Sequence, residues 1–158
     1  MIKSSFLRYL LIGVGILTVQ IVLLRHLKIY NAESDLVLVY LIWLCTKKNR
    51  TETLLIAGIL AFFQDALLDL WGMHLFSKVL LIFIIHGFLH NLSEKRFIFW
   101  QIFVIVFLAA ILHNTIFWTV GLFSEAVATD YVFWNLILGG SLFTAVTAGF
   151  LHLVRTDQ

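Results

Sequence analysis

The chain has 158 residues, 61% of them hydrophobic and 13% charged, with a mean hydropathy of +1.00 and a formal net charge of +2. That composition excludes an ordinary soluble domain and points to one polytopic, all-α membrane domain over residues 1–158. Six helices of about 20 residues would use about 120 residues, which leaves no room for a soluble catalytic domain. The lone cysteine, Cys45, excludes an internal disulfide and a cysteine-based metal cluster.

Helix 1 is predicted over residues 9–24, between Arg8 and Arg25. It is expected to stay uncleaved, because residues 20–25 offer no small-residue cleavage site. Gly13, Gly15, Thr18 and Gln20 suit packing against neighbouring helices. Ser34-Asp35 can cap helix 2, residues 36–46. At about 16 Å this helix spans only if Asp35 and Lys47 reach outward to the interfaces or the bilayer thins around it. Lys47-Lys48-Asn49-Arg50 is the densest basic cluster.

Helix 3, residues 53–70, carries Asp65 and Asp69. With Thr53 at one edge, these lie roughly 18 and 24 Å into a core of about 30 Å. An Asp facing lipid at mid-depth costs about 2.5 to 3.5 kcal/mol, so another part of the fold is expected to meet that face. Helix 4 is predicted over residues 79–92, with Phe76 and Lys78 at its entry. His86 and His90 have a metal-compatible i, i+4 spacing, but no Glu follows His86 and no third ligand is evident. They read as interfacial histidines. Helix 5, residues 97–123, carries His113, Asn114 and Trp118. Helix 6, residues 131–154, stacks Ser141, Ala145 and Gly149 on one face, where another backbone can come close, from this chain or a partner.

Six spans with the N-terminus inside place Lys3, Arg8, Lys47, Lys48, Arg50, Lys95, Arg96 and Arg155 in the cytoplasm, against Arg25, Lys28 and Lys78 outside. That is the positive-inside bias of an inner-membrane protein. If helix 2 fails to span and the N-terminus lies outside, Arg25 and Lys28 exchange with Lys3 and Arg8 and the bias is the same. Both readings put the C-terminus inside, and a basic N-terminus is easier to retain than to export.

No reaction is legible. Asp65 and Asp69 sit on one helix and cannot face each other as a protease dyad does. No phosphate loop, nucleotide motif or cofactor box is present, so the expectation is a non-enzyme with no cofactor and no metal site. Asp69 lies sixteen residues after Thr53, and His113 sixteen after Phe97. The two helices run the same way in the six-span arrangement, which predicts a polar cluster of Asp65, Asp69, His113 and Asn114 inside the bundle. It reads as a network fixing helix register, with a partner or lipid-headgroup site and ligand or proton coupling as alternatives.

A short second helix opening with Ser34-Asp35, Gly58 with Asp65 seven residues on, and Gly72-Met73-His74-Leu75 resemble the bacterial rod-shape-determining membrane protein family MreD. His113-Asn114 through Phe117-Trp118, and Val132-Phe133-Trp134-Asn135, are similar to the corresponding gamma-proteobacterial segments. Departures are Ser34-Asp35 where members commonly show Pro-Asp, and Phe62 and Leu68 where they carry glycines. The resemblance implies a non-enzymatic scaffold of the cell-wall elongation complex. Its implied partners are the bitopic MreC, the actin-like MreB, and the polymerase and transpeptidase of lateral wall synthesis. It also implies a fold like the substrate-binding subunit of energy-coupling-factor transporters. The rival reading is a small-molecule binding or transport subunit, using a pocket beneath Asp65, Asp69 and His113.

Overall fold

A computed structural model describes residues 4–23, 32–92, 99–123 and 134–156, with side chains for all of these but Ser4, Leu136 and 153–156. Every regular element among them is helical: α1 (Ser4–Val22), α2 (Leu36–Cys45), α3 (Arg50–Leu68), α4 (Met73–Leu92), α5 (Phe99–Phe123), a π-helical turn (Asn135–Gly139) and α6 (Gly140–Thr156). Among the described residues, four stretches are long and apolar enough to cross a membrane: Ser5–Val22 within α1, and α3, α4 and α5. The 19 residues of α3 measure about 28 Å, close to a bilayer core. The basic turn 94–96, the acidic loop 125–130, Arg25, Lys28, the opening of the last helix at 131–133 and the Arg155 side chain lie outside what is described.

The ten-residue α2, LVLVYLIWLC, is apolar on every face, and a helix of that kind is stable only when enclosed. It touches α1, α3, α4, α5 and α6. Val37, Leu38, Leu41, Leu44 and Cys45 are buried in the central cluster with Ile56, Leu60, Leu81, Ile82 and Ala110. Spanning on its own, this helix would have to reach both interfaces through Asp35 and Lys47 or thin the bilayer. Its neighbours surround it instead, so lipid places no demand on its length. Outward faces carry the large apolar side chains, among them Leu11, Phe63, Phe83, Trp100, Leu108 and Phe150. Thr18, Thr115 and Thr119 return their hydroxyl protons to carbonyls of their own helix, which makes them tolerable on such a surface.

α1 starts at Ser4 rather than 9 and ends at Val22 rather than 24, α3 starts at Arg50 rather than 53, and both boundaries of the α3–α4 turn also differ from expectation. α3 ends at Leu68 rather than 70, with Asp69 as a left-handed cap at φ 58° and Gly72 following at φ +84°. α4 then begins at Met73 rather than 79, because Asp65 accepts the exposed amides of its first turn, His74 N–H at 2.9 Å and Leu75 N–H at 2.8 Å. The earlier start brings Lys78 into the helix instead of the outer loop. α5 and α6 pack closely along the predicted small-residue face. Ser141 and Ala145 are buried, and a Cβ placed at Gly149 would stand 2.7 Å from Phe99 Cε2. Within this chain, that face is covered by α5.

Candidate functional site

The polar seam of the bundle starts at the N-terminus of α2, where the first amides of a helix lack intrahelical partners. Asp35 Oδ1 accepts Leu38 N–H at 2.9 Å, and Gln20 Oε1, from α1, accepts Val37 N–H at 2.8 Å. Asp35 N–H donates to Thr144 Oγ1 at 3.1 Å, and Ser34 Oγ donates to Thr147 Oγ1 at 3.0 Å, both on α6. The second oxygen of Asp35, Oδ2, takes Lys78 Nζ of α4 at 2.7 Å. Lys78 has no exposed surface, and its ammonium also donates to Gln64 Oε1 of α3. One carboxylate and one ammonium thus bind α2, α3 and α4 at a single point. Such a pair is tolerable away from water only because both groups have further hydrogen bonds.

A second chain of contacts lies alongside. Asn114 Nδ2 donates to Ser141 Oγ at 3.1 Å, which turns its Oδ1 to His113 Nδ1 at 3.0 Å. With Asn114 so set, His113 carries its proton on Nδ1, and the Nε2 lone pair faces Ser77 Oγ at 3.2 Å. These four side chains join α4, α5 and α6. The His74 ring lies nearly parallel to His113, centroids 6.0 Å apart and planes 8° apart, and its centroid is 4.6 Å from that of Phe117.

Ser77, His113 and Asn114 stand in the order of nucleophile, base and orienting group. The geometry does not support attack on a substrate. Ser77 is fully buried, and Met73 O, 2.7 Å from its hydroxyl, competes with His113 Nε2 for the one proton it can give. The groups act as an interhelical tie.

The structure distributes the residues singled out in the sequence. His113 and Asn114 belong to the seam, Asp65 caps α4 beside it, and Asp69 does not join them. Asp69 is exposed at the end of α3, because its left-handed backbone turns the chain out of the helix before the side chain can face the bundle. Asp35 reads as an acid at a helix end and Lys78 as a lysine outside; both are drawn inward and pair. Gln64 gives no signal in the sequence because an uncharged polar residue in an apolar helix does not show its direction, and Ser77 has no base beside it in sequence because its partner His113 lies on another helix. The available signal was Lys78 itself, a lysine at the head of the apolar run 79–85, together with Asp35, an acid opening the short α2. His86 lies apart, donating Nε2–H to Lys48 O at 2.9 Å, with its ring stacked on His90 at 5.4 Å.

No protein-family model, curated protein or solved structure matches this chain.

Proposed function

We propose that this protein is a non-enzymatic scaffold of the bacterial cell-wall elongation complex, a multi-pass inner-membrane protein with six spans and both termini cytoplasmic. The supporting observation is where the residues that carry the MreD resemblance sit. Ser34-Asp35 anchor α2 to α4 and α6, Asp65 caps α4, Gly72 makes the α3–α4 turn, and His113-Asn114 tie α4 to α5 and α6. The resemblance is thus carried by joints of an architecture rather than by reacting groups, as suits a protein whose work is done through contacts.

In this reading α2 and α6, shorter than the other helices, complete the six spans within the bundle, and the arrangement is of the kind found in substrate-binding subunits of energy-coupling-factor transporters. The partners are an MreC-like bitopic protein and, through it, the actin-like filament and the wall polymerase and transpeptidase. Depletion in the native host tests it: rod-shaped cells should round up or die, and the protein should copurify with the MreC-like partner. Cells of normal width starved for a vitamin or metal would replace the scaffold with the transport-subunit alternative.

A further inference from the structure

We propose that Asp35, His74 and His113 form a binding site for a divalent transition-metal ion, which takes the place of the Lys78 ammonium at the Asp35 carboxylate. Each of the three residues offers one ligand atom, and these atoms all lie within 4.8 Å of one another. They come from three elements, the lead into α2, α4 and α5, so the site exists only in the folded bundle. Two imidazoles and a carboxylate are a donor set that favours Zn2+, Co2+ or Ni2+ over Mg2+ or Ca2+. Bonds of about 2.0 to 2.1 Å to a tetrahedral ion place its ligands about 3.3 Å apart. Closing the site therefore requires side-chain shifts of about 1 Å.

Two independent features point to a ligand. His74 Nδ1 is buried and has no hydrogen-bond partner among the described residues. A nitrogen held away from water in this way loses bonding free energy unless something occupies it. His113, in turn, has its Nδ1–H held by Asn114 Oδ1 at 3.0 Å. An imidazole that ligates through one nitrogen while donating the other N–H to a fixed acceptor is the usual outer-shell arrangement at metal sites. The ammonium of Lys78 already shows that the Asp35 carboxylate attracts a cation at 2.7 Å. When displaced, Lys78 keeps its bond to Gln64 and remains within electrostatic reach of Asp65. Lys78 is thus the competitor for this site, and the competition fixes the sign of a test.

The test uses the full chain in detergent, purified through a tag without histidine, stripped with chelator and titrated with Co2+ and then Zn2+. We expect one Co2+ per chain with visible absorption of a tetrahedral centre, displaced by Zn2+. His74→Ala, which breaks no side-chain hydrogen bond, and His113→Ala should each weaken binding at least about 10-fold. Lys78→Met should tighten it, and His90→Ala should leave it unchanged. X-ray absorption of the Zn2+-loaded His90→Ala protein, which does not depend on tolerance of the buried substitutions, should show two imidazole ligands. Absence of saturable 1:1 binding, binding that survives His74→Ala, or binding lost in His90→Ala overturns the proposal, the last by assigning the ion to the His86 and His90 pair.

Discussion

Lys78 Nζ of α4 stands 2.7 Å from Oδ2 of Asp35, the residue that caps α2, and the lysine has no exposed surface. The most deeply enclosed helix of the bundle is therefore held in register by a charge from its neighbour.

Removing one partner leaves the other charge in the core. Asp35→Ala or Lys78→Ala should each cost about 3 to 5 kcal/mol, whereas the double change Asp35→Ala with Lys78→Ala should cost less than the two losses combined. Thermal unfolding in detergent, arranged as a double-mutant cycle, measures the difference. Strictly additive losses would show that the pair does not act as a unit.

The two carboxylates of α3 should behave differently. Asp65→Leu removes the acceptor for His74 and Leu75 N–H and should cost about 0.5 to 2 kcal/mol, with Asp65→Asn milder because its carbonyl still accepts. Asp69 is an exposed left-handed cap, so Asp69→Gly should be neutral or stabilising by up to about 1 kcal/mol. Faster amide exchange at the start of α4 in Asp65→Leu, and not in Asp69→Gly, is the accompanying signature.

Gly149→Leu should force Phe99 from its place and cost about 1 to 3 kcal/mol of overpacking. Reduced accumulation of the protein is the expected readout, since α5 covers this face. Normal accumulation with lost binding of the proposed MreC-like partner would show instead that the face is shared with another protein.

Topology follows from the basic residues, and withdrawing Lys78 into the bundle strengthens the bias by taking one charge from the outer tally. In a Cys45→Ser background, a cysteine at Ala128 should react with an impermeant reagent added outside, and one at Asn49 should be spared. The reverse pattern would invert the orientation.

The sequence alone determined the class of protein and most of its helices. Runs such as those of α3, α4 and α5 are apolar enough that only lipid or a protein core can cover them, and backbone groups in either setting must be satisfied within a helix. Depth along a helix was also legible, because a rise of about 1.5 Å per residue converts position into distance, and it marked His113 and Asn114 as interior groups.

Tertiary structure decided which way each polar group turns and what meets it. Asp35 read as a group at a helix end because hydropathy assigns a charge flanking a short helix to water, yet Lys78 and the first turn of α2 draw it inward. Asp69 read as buried by counting along an unbroken helix, and a left-handed φ of 58° at that residue moved it out. Asp65 kept its depth but gained its role from the amides of a helix that follows the turn. The physical reason is common to all three: the partners of these acids lie across a turn or on another element, and a one-dimensional pattern records how polar a residue is but not which group stands opposite it.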